Sequence, residues 1–119
     1  MGYKYVNLTP HAIDIITDEK SLSGFNIPPS GKILRLKEKD TILPKNDNVN
    51  DDFDIITREY QLEDLDNIAP IIEGIRYLVS SLVLPYVKGR NDMFSPDTGS
   101  GAVRNMDGKI IGTKRLIKP

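Results

Sequence analysis

The chain has 119 residues, 16 basic and 17 acidic side chains, a net charge of −1 and no cysteine. Proteins that bind duplex nucleic acid usually present a strongly basic face, so this charge balance argues against such a partner. The lack of cysteine excludes disulfides and thiolate metal sites and is compatible with a reducing, cytoplasmic environment. The length predicts one small domain covering residues 1–119.

The longest apolar run extends from Tyr77 to Val87 and is interrupted by two serines and a proline. A membrane-spanning helix needs about 20 predominantly apolar residues, so we expect no membrane partner. The first 15 residues contain no apolar stretch typical of a secretory signal, and this favours the cytoplasm.

The first half of the chain predicts strands. Residues 3–8 and 12–17 are rich in β-branched and aromatic side chains. The segment FNIPPSG (25–31) predicts a stiff turn, because its prolines fix φ and its glycine permits the chain to reverse. Residues 32–39 mix apolar and charged side chains and predict a half-exposed strand, and residues 54–62 predict another.

Residues 44–54 are the most hydrophilic part of the chain and predict a solvated connector. A calcium loop counted from Asp47 would need an oxygen ligand at its third position and a glutamate at its twelfth. Those positions hold Val49 and Arg58, so the calcium pattern fails.

The second half combines short helices and strands. Residues 63–72 predict a turn or short helix, and residues 75–79 predict a strand. Ser80 and Ser81 are suited to cap a short helix over 82–87, where an early proline is tolerated.

The C-terminal residues predict a β-hairpin, with strands over 102–105 and 109–117 joined by a turn at Asp107-Gly108. Together these elements predict an α+β fold, mainly an antiparallel β-sheet with one or two short helices.

Catalytic patterns are missing from the sequence. His11 is the only histidine, and it lies three residues from Asp14, which is not a same-face spacing on a strand. The run Gly99-Ser100-Gly101 lacks the lysine and hydroxyl residue of a phosphate-binding loop. We therefore expect no enzymatic activity, no cofactor and no metal.

Arginines give the better functional signal. Arg58, Arg90 and Arg104 each offer a planar fork of donors suited to a phosphate group. Phe94 and Tyr60 supply aromatic rings for stacking, and Asn91 can pair with a base edge or a ribose hydroxyl.

Residues 89–112 also contain five glycines and three aspartates, which leaves two interpretations open. The glycines can let backbone N–H groups converge on a bound anion. Alternatively, the arginines pair with the neighbouring aspartates and brace a structural loop.

Four segments resemble a group of small phage and prophage proteins, the phage Thoeris anti-defence family. They are NLTPHAI (7–13), IPPSGKILR (27–35), YLVSSLV (77–83) and the tail segment (89–112). The resemblance covers most of the chain in scattered blocks and leaves out the connector at 44–54.

The resemblance implies a non-enzymatic sponge, found in the host bacterial cytoplasm, which binds a cyclic ADP-ribose isomer or a related cyclic oligonucleotide. It also implies a homo-oligomer built from dimers, with ligand pockets near subunit contacts. Carried onto this chain, it assigns Arg90, Asn91 and Arg104 to the diphosphate and ribose, and Phe94 or Tyr60 to adenine.

Two other hypotheses remain beside the sponge. One is a phage structural or protein-interaction module without a small ligand. The other, ranked last for want of an acid–base pair, is a small hydrolase or isomerase that acts on a nucleotide.

Overall fold

A computed structural model describes residues 2–45 and 52–119. Within these ranges it contains one helical turn, α1 (Leu65–Ile68), a 3-10 turn (Leu84–Tyr86) and ten strands. The strands are β1 (Lys4–Asn7), β2 (Ile13–Asp18), β3 (Ser23–Ile27), β4 (Leu36–Ile42), β5 (Ile56–Leu62), β6 (Ile75–Leu78), β7 (Met93–Pro96), β8 (Ala102–Arg104), β9 (Ile110–Thr113) and β10 (Leu116–Ile117). Part of the predicted connector, residues 46–51, lies outside the described ranges.

The strands form two four-stranded sheets and one hairpin. The first sheet has the order β1-β6-β7-β10, the second β3-β2-β9-β8, and β4 pairs with β5. The predicted sheet-dominated α+β fold is confirmed. Three pairs, β1–β6, β6–β7 and β2–β9, are nevertheless parallel, so the two larger sheets are mixed.

The prediction of a turn over 25–31 was wrong in its first half. Residues 25–27 belong to β3, whose Ile27 lies opposite Ile13 of β2. The chain reverses only over residues 28–31, where two prolines end the strand and Gly31 adopts a φ of 91°. The next strand begins only at Leu36.

The helix predicted over 82–87 is only a 3-10 turn, and no side chain caps it. The N–H of Val83 instead donates to the carbonyl of Ser80, which makes a tight turn after β6. The segment is too short to offset the cost of starting an α-helix.

The C-terminal hairpin is confirmed, with Ala102 opposite Thr113 and Gly108 at a φ of 80° in the turn. Its predicted second strand divides in two, because Leu116 leaves the hairpin to pair with Pro96 of β7.

The largest hydrophobic core lies against the sheet that contains β1, β6 and β7. Helix α1 and the 3-10 turn contribute apolar side chains to its margin. Its buried members are Leu8, Leu34, Ala69, Tyr77, Val79, Val83, Val87 and Met93.

Strands β4 and β5 form an arm that pairs with no other described strand. Every residue of the arm except Leu36 and Leu62 at its base is exposed. The radius of gyration is 18.9 Å and the longest dimension is 65 Å, whereas a compact domain of this length has a radius of roughly 14 Å. The fold is therefore a packed body with an exposed arm.

No helix in the described ranges has the length and hydrophobicity needed to cross a membrane.

Candidate functional site

The candidate site is a cavity of about 450 Å³ at the base of the arm, which we call the arm-base cavity. Strands β1 and β6 run parallel, so their carboxyl ends open onto the same edge of the sheet. The residues that follow these strands form two walls, and residues 33–36 with the first part of the arm form a third. The volume suits a small-molecule ligand.

Asn7 fixes the wall that follows β1. Its side chain is buried, and its Nδ2 donates to the carbonyls of His11, at 2.7 Å, and Ile27, at 3.0 Å. Its Oδ1 accepts the N–H of Thr9 at 2.9 Å. These bonds hold the Thr-Pro-His turn in one conformation, so the wall exists before any ligand arrives.

Arg35 is the one basic residue among the described residues that line the cavity. Its neighbour Leu34 is buried and donates its N–H to the carbonyl of Leu8 at 3.1 Å, while the Arg35 carbonyl accepts the N–H of Glu63 at 3.1 Å. The backbone is therefore held on both sides. No carboxylate of residues 2–45 or 52–119 lies within ion-pair distance of the Arg35 guanidinium.

Tyr60 supplies an aromatic ring. It lies on β5 opposite Glu38, and both side chains line the cavity. The ring packs edge-on against Tyr86, with 6.4 Å between the ring centroids and 63° between the planes. This contact fixes the ring at the cavity wall, where a base can stack on it.

Arg58, one of the predicted ligand residues, lies beside the cavity but is engaged by acidic neighbours. Its Nε lies 2.8 Å from an oxygen of Asp40 and 3.4 Å from an oxygen of Glu38. The hydrogen bonds that Arg58 donates to Asp40 raise the pKa of Arg58 and lower the pKa of Asp40. The arrangement partly neutralises Glu38, the carboxylate that lines the cavity.

Arg90 is engaged inside the body. Its Nε and Nη2 donate to the two carboxylate oxygens of Asp92, each at 2.8 Å, and Nη2 also donates to the carbonyl of Ala69 at 2.7 Å. The two charged side chains are only 13% and 17% exposed. The hydrogen bonds to Asp92 raise the pKa of Arg90. The Arg90 guanidinium thus stabilises the fold and has few N–H donors left for a ligand.

Arg104 and Asn91 lie on other parts of the surface. Arg104 donates from Nη1 to the carbonyl of Gly108 at 2.7 Å and so braces its own hairpin. Asn91 is exposed. Neither side chain belongs to the lining of the arm-base cavity.

Two glycines of the tail segment (89–112) lie around the carboxylate of Asp97. The N–H groups of Gly99 and Gly101 donate to the carboxylate of Asp97 at 2.8 and 3.0 Å, and the Nε of Arg115 donates to it at 2.7 Å. A Cβ at Gly101 would lie only 2.5 Å from that carboxylate. The geometry of residues 89–112 thus favours the structural ion-pair interpretation over an anion pocket.

Asp97 makes stability depend on pH. Arg115 and the loop N–H groups lower the pKa of Asp97 below its value of 3.8 in an unfolded chain. Its stabilising contribution is therefore complete above about pH 5 and is lost as the pH falls through the lowered pKa. We expect Asp97→Asn to flatten the fall in the free energy of unfolding, measured with urea, between pH 5 and pH 2. An unchanged acid profile would contradict this assignment.

Phe94 belongs to a cluster of aromatic side chains around Arg76, which the sequence analysis did not predict. The guanidinium of Arg76 stacks 3.7 Å from the ring centroid of Tyr3 and 5.1 Å from that of Phe94, and its Nη1 donates to the hydroxyl of Tyr5 at 3.0 Å. Tyr3 and Tyr5 in turn line a second, mainly apolar cavity of about 580 Å³, the aromatic cavity, together with Phe25 and other apolar residues.

Of the six predicted ligand residues, only Tyr60 lines the arm-base cavity, and Arg58 lies next to it. Contact of the other four with a ligand stays a prediction, and the structure does not bring them together. Sequence reasoning missed Arg35, although it is the last residue of the segment IPPSGKILR.

Within the described ranges no three potential metal-ligating side chains cluster. Comparisons of the chain with protein-family models, curated proteins and solved structures found no match.

Proposed function

We propose that the protein binds a small nucleotide signal in the arm-base cavity and sequesters it without chemical change. The ligand class is the one that the sequence resemblance implies, a cyclic ADP-ribose isomer or a related cyclic nucleotide. One observation carries the proposal: three of the four resembling segments, distant in sequence, converge on this cavity. They contribute Leu8, Thr9 and Pro10; Ile33, Leu34 and Arg35; and Ser80, Leu82 and Val83.

The residues of the cavity have the chemistry that such a ligand needs. Arg35 can donate two parallel N–H bonds to a phosphate, because its fork has no carboxylate partner among the described residues. Tyr60 offers a ring for a base, and Ser80 offers a hydroxyl for a ribose. Leu82 and Val83 supply apolar contact.

The energetics are compatible with tight capture. Nanomolar binding requires about −12 kcal/mol. A charge-assisted hydrogen bond contributes roughly 1.5–3 kcal/mol, and stacking of a base on an aromatic ring roughly 1–3 kcal/mol. A cyclic ligand is already rigid, so little of this energy is lost to ordering it.

The cavity chemistry favours sequestration over turnover. Glu38 is the only carboxylate among the described lining residues, and it lies 3.4 Å from Arg58. General acid–base catalysis most often uses a histidine or a pair of carboxylates, and the described lining contains neither.

A capture-and-release assay tests the proposal. The protein is incubated with a panel of cyclic ADP-ribose isomers and cyclic dinucleotides, unbound ligand is removed by filtration, and the retained fraction is heated and analysed by mass spectrometry. We expect one ligand to be depleted from solution and recovered intact. Recovery of an altered ligand would indicate an enzyme, and no depletion of any ligand would contradict the proposal and favour the interaction module.

The interaction module has its own support. The arm is exposed along both faces and pairs with no other described strand. This feature is compatible with ligand binding at the arm base, and it points to a protein partner at the other end of the arm.

A further inference from the structure

The aromatic cavity lies between the two four-stranded sheets. Tyr3 and Tyr5 line it at β1, and Leu116 lines it at β10 of the same sheet. Ile15 of β2 and Phe25 of β3 line it from the second sheet. Its volume of about 580 Å³ suits a small organic ligand. It shares no described lining residue with the arm-base cavity, so the two cavities are separate candidate sites.

Arg76 places a cation beside this cavity. It lies on β6, an inner strand of the first sheet, opposite Tyr5. Side chains two apart on a strand share a face, so Arg76 lies on the same face as Leu78, which is fully buried. An apolar residue is the usual choice on such a face. The Arg76 guanidinium instead lies against the rings of Tyr3 and Phe94 and donates to the hydroxyl of Tyr5.

The guanidinium of Arg76 has no carboxylate partner in the described part of the chain. The hydrogen bond to the Tyr5 hydroxyl, a neutral group, is the main cause of the raised pKa of Arg76. The residue is half-buried. A partly buried charge without a counter-charge favours an anion, and the guanidinium has further N–H groups that can donate to one.

The rest of the lining favours an apolar ligand. Apart from the tyrosine hydroxyls, Asn26 carries the only hydrogen-bonding side chain among the described lining residues, and its Nδ2 already donates to Asp14 at 2.7 Å. The polar atoms of a nucleotide would therefore lose hydrogen-bond partners here. Tyr3 and Phe25 are 52% and 66% exposed, so an apolar chain or ring that covers them gains from burial.

We propose that the aromatic cavity binds a small amphipathic carboxylate, an organic acid with an apolar chain or ring. The apolar part lies between the two sheets, and the carboxylate accepts N–H bonds from Arg76 at the margin of the cavity. A neutral molecule of the same shape gains only the apolar contact. This binding does not depend on nucleotide capture at the arm base.

Decanoate and decanol are the probes, because they share an apolar chain and differ in charge. Isothermal titration calorimetry at neutral pH, below the concentration at which either probe aggregates, measures both affinities. We expect the wild type to bind decanoate at least about 10-fold more tightly than decanol, the gain typical of a charge-assisted hydrogen bond. Equal affinities, or no binding of decanoate, would overturn the proposal.

Arg76→Met removes the charge and keeps a long apolar side chain. It is expected to bind decanoate about 10-fold or more weakly than the wild type and to bind decanol equally well. Arg104→Met, which removes a guanidinium from a distant hairpin, is the matched control and should bind both probes as the wild type does. Wild-type affinity for decanoate in Arg76→Met, or an equal loss in Arg104→Met, contradicts the proposal, because Arg76 would then only brace the tyrosines.

Phe25→Ser tests the apolar wall and leaves the charge in place. Because Phe25 is largely exposed, we expect this variant to fold even if Arg76→Met does not, and circular dichroism checks the fold of each. The affinities for decanoate and decanol should both fall about 5-fold or more, with the preference for decanoate kept. Unchanged binding of both probes would place them outside the aromatic cavity and overturn the assignment.

Discussion

Arg35→Ala is expected to weaken ligand capture by about 10–100-fold, because it removes the charge-assisted fork that the arm-base cavity offers to a phosphate. The free energy of unfolding should change by less than about 0.5 kcal/mol, since the exposed side chain has no ion-pair partner among the described residues. Isothermal titration calorimetry with the cyclic nucleotide that the wild type retains measures the first effect, and urea unfolding measures the second.

Two variants accompany this measurement. Arg35→Lys should lose most of the affinity as well, because an ammonium group cannot make the parallel pair of bonds to phosphate. Arg104→Ala removes a guanidinium of the same kind that braces a distant hairpin, and it should bind as the wild type does. Wild-type affinity in Arg35→Ala would remove Arg35 from the site, whereas an equal loss in Arg104→Ala would support the ligand contact of Arg104 that the sequence resemblance implies.

Arg90→Ala is expected to lower the free energy of unfolding by about 3 kcal/mol, the loss typical of breaking a buried ion pair. The substitution leaves the largely buried carboxylate of Asp92 without its two hydrogen bonds and the carbonyl of Ala69 without a donor. Urea unfolding at neutral pH measures the difference between the variant and the wild type.

Arg104→Ala is again the matched control, because its one side-chain hydrogen bond is exposed and should contribute less than about 1 kcal/mol. Equal stability of the two variants would contradict the structural role of Arg90. If Arg90→Ala kept its stability and lost the ligand, Arg90 would belong to the binding site, as the sequence resemblance implies.

The ion pair of Arg90 with Asp92 is a contact that sequence reasoning can consider, because the two residues are close in the chain. Asp92 is two residues away, and in an extended chain side chains two apart lie on the same face. The sequence contains aspartates near the arginines and leaves the ion pair open as one of two interpretations. The carboxylate of Asp97 was harder to place, because its hydrogen bond with Arg115 depends on the pairing of β10 with β7.

Local patterns predicted most strands and the Asp107-Gly108 hairpin, because alternation and turn residues act within a few positions. They failed for β7, which is short and stands among polar residues in the sequence. Its parallel partner β6 buries it in the sheet interior, where Met93 and Ser95 have no exposed surface. Long-range pairing of this kind leaves little local signal.

The arm-base cavity could not be located from local patterns for the same reason. Its walls meet only because β1 and β6 pair in parallel and because the N–H of Leu34 bonds to the carbonyl of Leu8. Arg35 therefore looked like an ordinary residue of a half-exposed strand. The structure also corrects the prediction of a half-exposed strand over 32–39, because Lys37 to Asp40 are all exposed on the arm.

A crystal structure of the protein soaked with the retained cyclic nucleotide tests the central claim most directly. The account predicts density for the intact ligand in the arm-base cavity, with a phosphate oxygen within hydrogen-bond distance of the Arg35 guanidinium and a base against Tyr60. Density instead at Arg90 and Asn91, or in the aromatic cavity beside Tyr3 and Phe25, would contradict it.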